Sequence, residues 1–316
     1  MLQTGKIKSL SAILFCLVVV GFFSAGGIAA DYSNFDKEVY YRALQDSQNP
    51  EQDDISSRLL AIVPFWDELN WQILNGGEIQ WEGVPGSSRL LAVAFMKRQD
   101  YESYYKEHME NRRNEDYTLK KSLFVTVVPE LQNYFIPTSE PTLRCPPTPK
   151  RVVKLLGLNP ANDYDVLVEM WVDPNDLFRP SPDPEINDHE AELAYRDAFD
   201  NWVFPREANP FIKYDDTALF MDSAWSQPVT FRDWFTNRAE TVYQIGEFSD
   251  VSTWGYPWTR LGYTYDWGSM VKHVGLSEFV IRLDPDQGGE VLVKLERAID
   301  AATPQWNSYF NCWQPR

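Results

Sequence analysis

The sequence predicts an α+β fold: a single large domain in which a mixed or antiparallel β-sheet is packed with helices. Three observations predict it. Compact apolar runs of strand length lie at 89–96, 122–128, 166–172, 277–283 and 290–296. Stretches with helical spacing or helix caps are interspersed among them, without the regular alternation that builds a parallel sheet. No Pro- and Gly-rich stretch of linker length separates two cores, so residues 31–316 read as one unit large enough to bury a substantial interior.

Taken in order, 1–30 have the layout of a secretory signal peptide. Lys6 and Lys8 precede an apolar run over 13–23, and small residues lead to Ala29-Ala30 before Asp31. Cleavage near Ala30 would release a secreted or periplasmic chain, not held at a membrane; the alternative is a retained N-terminal anchor. Residues 31–47 read as a helix with Phe35, Val39 and Tyr40 on one side. A second helix is expected over 55–74, kinked or divided by Pro64 and ended by Gly76-Gly77. Its Trp66, Leu69, Trp71 and Ile73 suit a core.

The run 89–96 is a buried strand, 99–113 an exposed helix, and 122–128 a strand followed by a helix with Pro129 in its first turn. Residues 136–149 form a loop holding Cys145. Thr148 caps a short helix that Gly157 closes. After the strand 166–172, Asp173 caps a turn and 178–184 is a proline-rich loop. Asn187 is expected to cap a helix over 188–202, because Ala191, Tyr195, Ala198 and Trp202 recur at helical spacing. Helices are also expected at 215–225 and from Thr230 to near Gly246, with Phe231, Trp234, Phe235 and Val242 inward. The strands 277–283 and 290–296 flank a turn-rich DPDQGG and read as a hairpin. Thr303-Pro304 starts a last helix.

Composition narrows the partners. Without the leader, 27 basic residues face 46 acidic ones. A surface so acidic disfavours nucleic acid and anionic membranes and leaves cations, basic proteins and neutral ligands open. The two cysteines outside the leader, Cys145 and Cys312, are expected to pair in an oxidising compartment; two buried free thiols are the alternative.

The densest gathering of functional side chains lies at 254–280. Trp254, Tyr256, Trp258, Tyr263, Tyr265 and Trp267 surround Arg260 and Asp266, with His273 and Glu278 just beyond. If 262–267 is extended, Tyr263, Tyr265 and Trp267 share one face and Thr264 and Asp266 the other. Flat rings suit a carbohydrate-like ligand, with Trp258, Tyr263, Tyr265 and Trp267 stacking and Arg260 and Asp266 orienting it. The plain alternative is an aromatic core in which Arg260 and Asp266 pair each other. Tyr256-Pro257 could be a cis turn.

Acid–base chemistry has candidates in Glu130, Glu169, Asp266, His273 and Glu278, since two opposed carboxyl groups suffice for glycoside hydrolysis. Asp183, Glu185, Asp188 and Glu190 offer hard oxygen ligands suited to Ca²⁺, although their spacing is not that of an EF-hand and most of these acids are explained as charges at a helix start. Other cofactors are not expected: phosphate-loop, dinucleotide, zinc and serine-nucleophile motifs are missing. Three readings follow: a protein binding a neutral or cationic, carbohydrate-like ligand; a secreted glycosidase-like hydrolase; and an interaction module for a basic protein partner.

Overall fold

A computed structural model describes residues 25–62, 79–135, 145–182, 184–191, 195–196, 202–203, 219–220, 228–269, 271–284 and 288–310, with backbone alone for 25–34, 195–196, 202–203 and 219–220. Its centre is a seven-stranded sheet. The strands are β1 (Leu90–Lys97), β2 (Tyr117–Leu119), β3 (Leu123–Val127), β4 (Tyr164–Val172), β5 (Leu177–Phe178), β8 (Phe279–Ile281) and β9 (Val291–Asp300). A smaller ladder pairs β6 (Tyr263–Tyr265) with β7 (Val274–Ser277). The large sheet runs β2-β9-β4-β1-β3-β8-β5 with every neighbouring pair antiparallel. Among the described residues six helical segments pack with it: α1 (Ala25–Asp46), α2 (98–111, with a π turn at Tyr101–Tyr105), α3 (Val128–Tyr134), α4 (Pro149–Leu155), α5 (Phe231–Thr241) and α6 (Pro304–Tyr309). The α+β class is as the sequence predicts.

The unbroken apolar run of β1 reflects cover on both faces. Leu90, Ala92, Ala94 and Met96 point into one core, with Val166, Val168, Met170 and Val172 of β4. Leu91, Val93 and Phe95 point into the other, beneath α1, α3, α4 and α6. A strand with two dry faces has no polar alternation to show. Glu169 falls on this second, helix-covered face, fully buried.

The helices begin where the side chains supply caps. The Thr148 hydroxyl accepts from Arg151 N–H at 3.2 Å, and Thr230 does the same for Asp233 at 3.1 Å. Pro129 and Pro149 occupy first turns, where no N–H is needed. Gly157 ends the α4 region at φ +66, a conformation that penalises a Cβ.

Several expectations are corrected. Within α1 the buried residues are Asp36, Tyr40, Ala43 and Leu44, while Phe35 is exposed. Residues 55–62 form no helix; Leu59 and Ile62 donate backbone bonds to His189 and Ile186 instead. The expected cluster of Trp66, Leu69, Trp71 and Ile73 lies outside the described residues. In place of a helix over 188–202, Tyr195–Arg196 pairs antiparallel with Trp202–Val203. Leu219–Phe220 is a strand against Val229–Thr230, inside the stretch expected to be helical. The expected hairpin between β8 and β9 reduces to one bridge, Asp284 to Glu290, and the two strands join different neighbours. Among the described residues the cis peptide is Cys145-Pro146, not Tyr256-Pro257.

α1 runs through position 30, and residues 1–24 lie outside those described. Among the described residues no helix is long and apolar enough to cross a membrane.

Candidate functional site at the β6–β7 ladder

β6 is extended, and its two faces meet different surroundings. On one, Thr264 and Asp266 point inward. Thr264 Oγ1 donates to Leu155 O at 2.8 Å and accepts from Leu276 N–H at 2.9 Å. Asp266 is fully buried and accepts two bonds from the Arg151 guanidinium, at 2.9 and 2.7 Å. It also accepts from the Tyr134 hydroxyl at 2.8 Å and from Gly268 N–H at 3.0 Å. Arg151 comes from α4 and Tyr134 from α3, so Asp266 fastens both helices to the ladder. The Tyr134 hydroxyl is pushed well up, by burial first and then by the Asp266 charge. Asp266 does not pair with Arg260, as the core alternative expected.

On the other face, Tyr263 and Tyr265 run outward with their hydroxyls at the surface of α1 and the turn after it. Tyr265 donates to Asp46 Oδ2 at 2.6 Å, and Tyr263 donates to Asp54 O at 2.8 Å. Burial, followed by the nearby Asp46 and Asp54 charges, raises both phenols. His273 lies flat on Tyr265, with ring centroids 4.8 Å apart and planes 6° from parallel. Its Nε2 is 3.3 Å from Asp54 Oδ1, and its Nδ1 is 3.8 Å from Asp46 Oδ2.

Asp46, Ser47, Pro50, Asp54, Thr259, Leu261, Tyr263, Tyr265 and His273 together line a notch open to solvent, about 200 Å³ of empty space. That figure includes the open mouth, and the enclosed part is no larger than a water molecule.

The other predicted ligand residues turn inward. Trp258 packs on Phe235 and Trp234 at 5.1 and 6.3 Å. Trp267 packs edge-on to Tyr40, lies beneath the Lys154 ammonium at 4.8 Å and donates to Leu158 O. Trp258, Tyr263, Tyr265 and Trp267 are all buried, so they present few open ring faces. Arg260 adopts a left-handed backbone, φ +58, and donates to Gln48 O at 2.6 Å.

Glu169 and Glu130 are each held by partners of their own. Glu169 is held by Arg297 at 2.6 and 3.2 Å. Glu130 accepts from Ser277 N–H at 3.1 Å, from its hydroxyl at 2.9 Å, and from Thr126 Oγ1 at 3.4 Å; burial raises its carboxyl. These bonds fix the point where β7 passes into β8. Glu278 follows immediately, with burial lifting its carboxyl to about 8 and the Arg238 charge opposing.

The acid-rich run is organised around a side chain. Arg179 is fully buried, and its guanidinium donates to the carbonyls of Glu185 and Asp188 at 2.9 and 3.0 Å. Its own N–H donates to Pro184 O, and the Asp188 carboxylate lies 3.5 Å from the guanidinium. Glu190 is exposed, and Asp183 lies outside the described residues. Among the described residues no group of three or more His, Cys, Asp or Glu is arranged to hold a metal ion.

Cys145 Sγ lies 3.6 Å from Phe310 O; Cys312 is outside the described residues.

Sequence reasoning missed Asp46, Asp54, Arg151 and Arg179. Asp46 did leave a signal: a carboxylate at the last residue of a helix opposes the macrodipole, which favours cations there.

No protein-family model, curated protein or solved structure matches the chain.

Proposed function

We propose that this chain is an exported protein that binds an organic cation, seating an ammonium or guanidinium head group in the notch between Asp46, Asp54 and His273. The observation that carries the reading is convergence. Two carboxylates and an imidazole meet at a solvent-open hollow walled by two tyrosines. Paired carboxylates recognise a planar guanidinium or an ammonium through charge-assisted hydrogen bonds. The hollow is shallow, so a carbohydrate-like amine or a basic side chain would rest its charged head on the rim carboxylates while its remainder stays outside. The strongly acidic chain would steer such a ligand inward.

Export rests on the leader-like residues 1–30 and on the cysteine count. The proposed Cys145–Cys312 disulfide is supported by the nearness of Cys145 to Phe310, two residues before Cys312. Mass spectrometry of the unreduced protein checks it: a linked peptide pair is expected, and two alkylated thiols would remove it.

Calorimetry at low salt tests the site with methylguanidine, glucosamine, N-acetylglucosamine and an Arg-containing peptide. Binding is expected for the three cations and lost in the Asp46→Asn, Asp54→Asn double variant. Equal binding of the uncharged N-acetylglucosamine would overturn the reading. A response to the peptide alone would direct it to protein partners.

A further inference from the structure

His273 lines the notch, and its ring also lies where the head of a ligand would lie. The imidazole is flat on Tyr265, with centroids 4.8 Å apart and planes 6° from parallel, and it overlooks Tyr263 at 6.4 Å and 23°. Its Nε2 is 3.3 Å from Asp54 Oδ1, within hydrogen-bonding distance, whereas its Nδ1 remains 3.8 Å from Asp46 Oδ2. The charged and titratable groups facing the ring are thus Asp46 from α1, Asp54 from the turn after it, and Tyr263 and Tyr265 from β6. A flat group with N–H edges, stacked on an aromatic face between carboxylates, is also how a guanidinium is bound. The chain supplies such a group itself, which is why the notch encloses so little space.

This occupant is held loosely enough to be exchanged. The ring meets one carboxylate at bonding distance and falls short of the other. Asp46 Oδ2 accepts from the Tyr265 hydroxyl at 2.6 Å and Asp54 Oδ2 from Glu51 N–H at 2.8 Å, so both acids are anchored whether or not the ring is present. A guanidinium carries five N–H groups in a fixed fork and can engage two acids at once. Val271 and Lys272, just before the histidine, are exposed, so the ring has solvent to swing into. The ladder does not depend on the imidazole, because it is the His273 carbonyl that accepts from Asp266 N–H, at 2.7 Å.

We propose that His273 is a built-in competitor for the notch, which a planar cation of the guanidinium class displaces from Tyr265. The inference rests on the proposed function of the notch and narrows its ligand. A tetrahedral ammonium matches the charge of the ring but not its plane, so it binds more weakly. Imidazole is the side chain that gains charge as pH falls from about 8 to 5. Once charged it is attracted by both carboxylates, so the competition sharpens on acidification.

The test compares the full wild-type chain with His273→Ala by calorimetry, using methylguanidine and methylammonium. A ring in place about nine-tenths of the time lowers apparent affinity about tenfold. His273→Ala is therefore expected to bind methylguanidine about tenfold more tightly at pH 6 and to show a smaller gain at pH 8. Methylammonium is expected to gain less, and free imidazole at pH 6 to bind the variant in preference to the wild type. The sequence has three histidines, so the ring signals of His273 can be followed by NMR. They are expected to move downfield as methylguanidine saturates the wild type and the ring leaves the shielding face of Tyr265. If His273→Ala does not fold, His273→Gln, which has neither ring nor charge, carries the same expectations.

Equal binding of methylguanidine by wild type and variant, or saturation that leaves the His273 signals in place, would overturn the competitor while the notch reading stands. An equal gain for methylammonium would overturn the preference for a planar head. Binding by the variant alone would support the competitor in its strongest form, and binding by neither would sink the notch reading and this inference together.

Discussion

The two faces of β6 use similar residues to opposite ends. Inward, Asp266 is fully enclosed and fully bonded, with Arg151, Tyr134 and Gly268 satisfying it. Outward, Asp46 and Asp54 meet the same strand through tyrosine hydroxyls and His273, with Asp46 more than half exposed. A carboxylate surrounded by internal donors is a structural rivet. One left at a solvent-open hollow retains capacity for something from outside. The aromatic rings are common to both and therefore decide neither.

The contrast breaks most visibly at Asp266. Asp266→Ala leaves the mostly buried Arg151 guanidinium without its anion, and such losses cost about 3–5 kcal/mol. Urea unfolding is expected to show a loss of that size; a change below about 1 kcal/mol would place Asp266 with the notch acids instead.

Glu278 sharpens the comparison through pH. Its folded value is raised from the ordinary 4.5 to about 8, so the native state holds the extra proton across that window. Stability contributed by the neutral acid is complete below about 4.5, declines as pH rises, and is gone above about 8. The slope is at most about 1.4 kcal/mol per pH unit. Glu278→Gln is expected to match the wild-type thermal midpoint near pH 5 and to exceed it at pH 8. Parallel curves would remove the buried-acid argument.

Smaller still is the cap that sets α4, and with it Arg151. Thr148→Ala is expected to cost about 1 kcal/mol in urea unfolding. Smallest is Asp46→Asn, expected to change stability by about 0.5 kcal/mol or less, as surface positions usually do. A larger loss would mean that the outer face is riveted too.

The central strands were legible because β1, β3, β4, β8 and β9 are apolar runs bounded by turn residues or charges. The edge strands Tyr117–Leu119 and Leu177–Phe178 are too short to show a period. Tyr195 and Trp202 mimic helical spacing locally, but antiparallel pairing of Tyr195–Arg196 with Trp202–Val203 prevails over it. For the site, the focal stretch contributed Tyr263, Tyr265 and His273. The acids that complete the notch lie more than two hundred residues earlier, and no local pattern connects them. Arg179 was invisible for a related reason: a lone arginine in a proline-rich loop gives no sign that a later loop will wrap it.

That arginine has a consequence for the acid-rich run. Oxygen atoms that could have gathered around a dissolved ion gather around a cation carried on the chain itself. A tethered ion is present at a concentration that no change in the medium can dilute, so the loop's order should not depend on the calcium around it. Adding calcium or a chelator is accordingly expected to leave the thermal midpoint where it is, whereas Arg179→Met should lower it.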